Sequence, residues 1–142
     1  EIEGLPQLHC VQSAACAPIA GEFVDYKPID STLAEGVIVP HTERKEEAIR
    51  LIEETDGTGW VVDDDEIYRA LELLALNGVY ASPTGAVAVA GALKAGLRGR
   101  RIVCIVTGSG LKANLMPRGF EDRIIRISSE EELERLIEEH RL

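Results

Sequence analysis

No charged residue falls between Pro83 and Lys94, and the run between them, Thr-Gly-Ala-Val-Ala-Val-Ala-Gly-Ala-Leu, is built almost entirely from small and branched apolar residues. A helix of this composition, expected over residues 86–97 with Pro83 near its start, offers water no polar face and must be buried on most sides. Other layers have to supply that burial. Two short apolar stretches, residues 8–11 and 102–106, are rich in branched residues and bounded by turn or charged residues, as buried parallel strands are. They are expected to share a sheet.

Helical patterns separate these stretches. Residues 42–54 are amphipathic, with Ala48, Ile49 and Ile52 on one face and Asp56-Gly57 as the stop. Trp60, Val61 and Val62 read as a short strand. Asp63, Asp64 or Asp65 then caps a helix running to about Leu76, with Ile67, Ala70, Leu71 and Leu74 at helical spacing and Asn77-Gly78 ending it. A short strand at Val79-Tyr80 leads into Ser82-Pro83-Thr84-Gly85. Residues 114–122 read as a loop. Ser128 or Ser129 with Glu131 and Glu132 opens a last helix whose buried stripe is Leu133, Leu136 and Ile137. Strands alternating with helices predict an α/β fold, layered α/β/α, with a largely parallel sheet, and the 142 residues suit a single domain.

Composition narrows the function classes. A formal charge of −10 argues against nucleic acid, because phosphate neutralisation needs a basic face and the one tight basic cluster, Arg98, Arg100 and Arg101, reads as a solvated turn. No apolar run approaches the roughly 18 residues of a membrane span. The first residues lack the basic and apolar regions of a signal peptide, so a cytoplasmic protein is expected. Cys10, Cys16 and Cys104 form no Cys-x-x-Cys pair, and Cys10 and Cys16 with His9 match no standard zinc spacing, so no metal is expected. The chain opens on Glu1 and its only methionine is Met116, from which a processed or excised piece of a longer protein is expected.

In an open parallel sheet, ligands bind beyond the carboxyl ends of strands, which directs attention to Thr107-Gly108-Ser109-Gly110-Leu111-Lys112 after the run 102–106. Thr107 offers a hydroxyl at a strand end, and the glycines let backbone amides approach an anion or a ring. A plain connecting turn has the same composition, and the spacing is not that of a P-loop.

That segment resembles the Thr-Gly-His-Gly-Leu-Lys segment of the threonine synthases, members of the fold type II enzymes that depend on pyridoxal 5'-phosphate (PLP). Three further segments are similar to the same family, in the same order. Residues 8–18, ending in Cys16-Ala17-Pro18, resemble its strand and Cys-Ala-Pro turn. Ser31-Thr32-Leu33-Ala34-Glu35-Gly36 resembles Thr-Ile-Ala-Glu/Asp-Gly, and residues 78–86 resemble the strand, Glu-Pro-Ser/Ala-Ser/Gly-Ala turn and buried helix. The resemblance covers residues 5–115, and the tail matches loosely. Ser82 stands where many relatives have Glu, and Ser109 where threonine synthases commonly have His.

The resemblance implies the tryptophan synthase beta-like PLP fold and a wall of a cofactor site. Thr107, with Gly108, would lie at the pyridine nitrogen, Ser82, Pro83 and Thr84 near the ring, and Ala34, Glu35 and Gly36 at the cofactor edge. The activity implied is elimination of phosphate from O-phosphohomoserine, a small amino-acid substrate, and addition of water to give threonine. None of Lys27, Lys45, Lys94 and Lys112 fits the family's Schiff-base lysine context, which lies upstream of the matched region together with the phosphate cradle. No catalytic residue is therefore expected in this chain. The expectation is the C-terminal part of a larger PLP-dependent enzyme, lacking its N-terminal portion and prone to self-association through residues 86–97 and 102–107. The alternatives are a fragment of a serine/threonine dehydratase-type lyase and a non-catalytic binding or regulatory domain of the same fold.

Overall fold

The computed structural model describes residues 4–113 and 127–140. Strand β1 (His9–Ser13) pairs in parallel with β2 (Thr58–Val62), with Cys10 opposite Gly59 and Val11 opposite Trp60. Single-turn helices at Ala20–Glu22 and Glu35–Val37, then helix α1 (Lys45–Glu54), lie between them in the chain. After β2 come α2 (Asp64–Leu76), α3 (Pro83–Ala95), a single turn at Gly110–Lys112 and α4 (Glu130–His140).

Strand alternation divides the core in two. Val62 and Val11 belong to a cluster with Ile67 and Ala70 of α2 and with Ala86, Val87 and Ala90 of α3. Val61 and Cys10, one position away and so on the opposite face, pack with Ala14, Ala17, Ala20 and Ile29. Layers therefore cover both faces of the parallel pair, a layered α/β arrangement. The small residues of α3 serve this contact: a Cβ on Gly91 would come within 2.4 Å of a Val11 methyl, so the helix backbone lies directly on β1.

The capping chemistry is local and explicit. Asp63 closes α2 with a capping box: the Glu66 N–H donates to Asp63 Oδ1 at 2.9 Å, and the Asp63 N–H donates to Glu66 Oε2 at 3.0 Å. Glu66 Oε2 also receives Lys94 Nζ at 3.0 Å, and the same ammonium donates to the Val61 carbonyl at 2.7 Å, tying the end of α3 to β2 and the start of α2. Asp63→Ala is expected to lower stability by about 1 kcal/mol, the ordinary worth of an N-cap, read as a lower denaturant midpoint with an unchanged slope. An unchanged midpoint would mean the box is not formed in solution.

Several expectations are refined. The second helix ends at Leu76 with Asn77 as its cap, and Gly78 takes the positive φ of 78° expected of a stop. The first helix starts at Lys45 rather than 42, and the apolar helix spans Pro83–Ala95 rather than 86–97, with Gly96 as its left-handed cap. Val79-Tyr80 forms no strand; pairing there is a single bridge between Ala81 and Ser109. The partner of β1 is β2, not residues 102–106. That segment has no regular secondary structure, and among the described residues no backbone hydrogen bond joins it to a neighbour. Its branched residues favour a pleated, half-buried surface, but strand formation also needs a paired edge. In α4, Leu133 and Ile137 are exposed rather than buried. The loop expected at 114–122 lies outside the described residues.

Candidate functional site

Ser82 enters α3 in extended conformation, and its hydroxyl accepts from the Gly85 N–H at 3.1 Å while donating to the Thr107 carbonyl at 3.3 Å. The backbone zips the same two segments together: the Ser82 N–H donates to the Gly108 carbonyl at 3.2 Å, and the Gly110 N–H to the Tyr80 carbonyl at 2.9 Å. Two glycines permit this approach. A Cβ on Gly85 would sit 2.0 Å from the Thr107 carbonyl oxygen, and Gly108 combines a φ of 78° with a Cβ position 2.6 Å from Ser82 Oγ.

The third expected segment reaches the same place from the other side. The Thr32 hydroxyl donates to Asp64 Oδ1 at 2.6 Å, and the Leu33 N–H donates to both Asp64 oxygens, at 3.0 and 3.2 Å. The Ala34 N–H in turn donates to the Thr32 hydroxyl at 3.2 Å. Ala34 is fully buried in the cluster under α3, and a Cβ on Gly36 would lie 2.7 Å from Thr84 Oγ1. Thus Ala34-Glu35-Gly36, Ser82-Pro83-Thr84 and Thr107-Gly108 meet around the first turn of α3. Pro83 is buried and Thr84 half-buried, whereas Glu35, Gly36 and Thr107 are exposed.

Among the described residues the Thr107 hydroxyl has no hydrogen-bond partner, so it is available both to donate and to accept. Of the lysines, Lys94 is engaged at the far end of α3, Lys45 pairs with Glu22, Lys27 is exposed, and Lys112 is exposed in the turn that follows Thr107-Gly108. Burial pushes the Cys10 and Cys104 thiols up from their ordinary pKa, which keeps both protonated at neutral pH and unsuited to act as nucleophiles. Among the described residues no cluster of three His, Cys, Asp or Glu side chains could hold a metal ion, and no helix is long and apolar enough to cross a membrane. An open depression lined by Pro18, Pro40, His41, Thr42, Glu43 and Lys45 shares no residue with the converging segments.

Two contributors were not legible in the sequence. Asp64 was one of three equivalent candidates for a helix cap, yet it is Asp63 that caps and Asp64 that holds residues 32–34. Gln12 carried no motif, but its Oε1 accepts from the Ile19 and Ala20 N–H groups at 2.9 Å each, folding the turn after Cys16-Ala17-Pro18 back over β1.

Residues 1–108 match the family described as pyridoxal-phosphate dependent enzyme, and the chain belongs to that family. Within it, the chain is similar to the threonine synthase of Mycobacterium tuberculosis (strain ATCC 25618 / H37Rv), 33% identical over 118 residues that make up 78% of this chain and 32% of the relative. Similarity extends to the threonine synthases of Synechocystis sp. (34% over 114 residues, 76% of this chain and 29% of the relative) and Methanocaldococcus jannaschii (32% over 124 residues, 78% and 30%). The chain therefore spans about a third of the length of these curated relatives.

Proposed function

We propose that this chain is the C-terminal α/β domain of a cytoplasmic threonine synthase, which converts O-phosphohomoserine and water to threonine and phosphate, and that it supplies one wall of the PLP site. The observation that carries this reading is the meeting of three resemblance segments, far apart in the chain, around the first turn of α3. The donor set suits the cofactor. The unpartnered hydroxyl of Thr107 can hold the ring nitrogen, and as a neutral group it places no negative charge beside that nitrogen. Gly108 and the turn Ser82-Pro83-Thr84 would line the ring, and Ala34, Glu35 and Gly36 would border its edge. PLP, when bound, supplies the electron sink that draws charge from the reacting carbons of the amino acid. This chain's residues orient the ring and exclude water on one side; the lysine that bonds the cofactor and the cradle for its phosphate come from the N-terminal portion of the enzyme.

The surface supports a missing neighbour. Along 102–106 only Cys104 turns inward, its Sγ 3.7 Å from the Ala88 carbonyl; Ile102 and Val106 are exposed, and Val103 and Ile105 more so, at 85% and 78%. A segment that has no backbone pairing among the described residues and exposes an apolar face is suited to pairing with strands of the remaining enzyme, and to self-association without them. In α3 the buried face is already covered by α2 and the sheet, which leaves Leu93 of the helix and Leu97, just beyond its Gly96 cap, exposed.

Two measurements test the reading. The enzyme containing this chain is expected to release phosphate from O-phosphohomoserine; turnover confined to threonine or serine would favour the dehydratase alternative. Titration of the isolated chain with PLP followed by borohydride is expected to label no lysine. A labelled lysine accompanied by turnover would overturn the assignment of the reactive lysine to another segment.

A further inference from the structure

The carboxylate of Asp64 faces away from the helix it begins. Asp63 already satisfies the N-terminus of α2, so Asp64 Oδ1 and Oδ2 are free to take the Thr32 hydroxyl and the Leu33 N–H. Thr32 is itself 92% buried by its 8% relative exposure and passes the order on, its hydroxyl accepting from the Ala34 N–H. Charge-assisted hydrogen bonds of this kind are about twice as strong as neutral ones, and a two-oxygen grip fixes direction as well as distance. The segment it grips needs fixing. Beyond Ala34 the chain makes one turn at Glu35–Val37 with no side-chain cap, and Gly36 rests against Thr84 of α3. α2 and α3 pack on each other in the main core cluster, so the carboxylate references residues 34–36 to the same rigid pair that presents Ser82 to Thr84.

We propose that Asp64 is a positioning residue for the cofactor wall: through Thr32 and Leu33 it sets the place of Ala34-Glu35-Gly36 relative to the first turn of α3, without touching the cofactor. This rests on the reading of residues 34–36 as cofactor edge. Removing the carboxylate leaves the buried Thr32 hydroxyl and the Leu33 amide without their acceptor, and residues 32–36 then lose their reference while α2 keeps its Asp63 cap.

The experiment uses the PLP-loaded enzyme that contains this chain, comparing wild type with Asp64→Asn, Asp64→Ala, Thr32→Val and Thr32→Ser. Two readouts are taken: amide hydrogen exchange at Leu33 and Ala34 against Ile67 and Ala70, and the affinity and absorption band of bound PLP. Asp64→Ala and Thr32→Val are expected to speed exchange at residues 33 and 34 by at least about tenfold, the ratio set by one lost hydrogen bond, while Ile67 and Ala70 change far less. PLP affinity should fall by a similar factor with a shifted absorption band. Asp64→Asn should fall between, and Thr32→Ser should restore both readouts because it keeps the hydroxyl.

Faster exchange with wild-type PLP affinity and spectrum would overturn the positioning role and leave the cofactor wall standing. Unchanged exchange would overturn the clamp itself. A general rise in exchange that includes Ile67 and Ala70, uncorrected by Thr32→Ser, would mark a purely structural residue and also overturn the inference. Absence of a PLP signal in the wild-type enzyme would overturn the proposed function, and the positioning role with it, while exchange at residues 33 and 34 would still report on the clamp.

Discussion

Gly85→Ala is expected to destabilise the protein by about 3 kcal/mol, although alanine is the better helix former. Two effects of opposite sign compete. Placing Ala in a helix in place of Gly gains at most about 1 kcal/mol of backbone propensity, and less than that in the first turn. Against it stands a Cβ that would lie 2.0 Å from the Thr107 carbonyl oxygen and 3.0 Å from its carbon. Those atoms are backbone, so no rotamer change relieves the contact; either α3 shifts or Thr107-Gly108 moves away, stretching the Ser82 bonds to both residues. Overpacking wins. Chemical denaturation checks the sign directly, and a stabilised Gly85→Ala variant would show that Thr107 does not lie against α3. Because the same shift displaces the Thr107 hydroxyl, loss of PLP binding in the enzyme that contains this chain should accompany the loss of stability.

Ile67→Ala should cost about 4 kcal/mol, a large share of the roughly 5–15 kcal/mol that stabilises a domain. Ile67 is among the largest fully buried side chains, and the other buried members of its cluster are small: Ala34, Ala70, Ala86 and Ala90, with Val62 and Val87. Alanine side chains cannot swing into a void. The cavity therefore closes only if helix backbones move or the partly buried Leu71 and Leu74 turn inward, which places the cost toward the upper end for a large-to-small change. The expected result is a lower denaturant midpoint with little change in slope. A loss below 1 kcal/mol would mean that the contacts between α2 and the rest of the cluster are not where the stability lies. Ala34 belongs to this cluster too, so cavity formation beneath it should also loosen residues 34–36.

Elements bounded by local chemistry were legible from the sequence. The α2 helix has an acidic start, apolar residues at helical spacing and Asn77-Gly78 as a stop, all of which act within a few residues. The burial of α3 was equally legible, because a helix with no polar face between Pro83 and Lys94 has one outcome. The pairing of strands was not. Residues 8–11 and 102–106 have similar composition, yet β1 pairs with β2, whose Thr58-Gly59 start carries little strand signal. Parallel pairing is a long-range choice that periodicity does not encode, and an apolar strand pattern says nothing about whether an edge partner is present. For the same reason α4 has an apolar stripe at helical spacing, but Leu133 and Ile137 are left exposed.

The candidate site divides in the same way. Its segments and their order could be read from motifs, including Thr107, the turn at Ser82-Pro83-Thr84 and the turn at Ala34-Glu35-Gly36. Their meeting point depends on glycines that admit a neighbouring backbone or hydroxyl, and on an aspartate that local rules treat as one of three interchangeable caps. By itself, the sequence determined that α3 must be buried, where α2 starts and stops, and which short segments resemble a PLP enzyme, because each follows from residues close together in the chain. The tertiary structure alone decided which strand pairs with β1, that Asp64 grips residues 32–34, and that three separated segments converge on the first turn of α3. Those outcomes depend on close approach between distant backbones, where the absence of a Cβ or the free face of a carboxylate matters only once the partner has arrived.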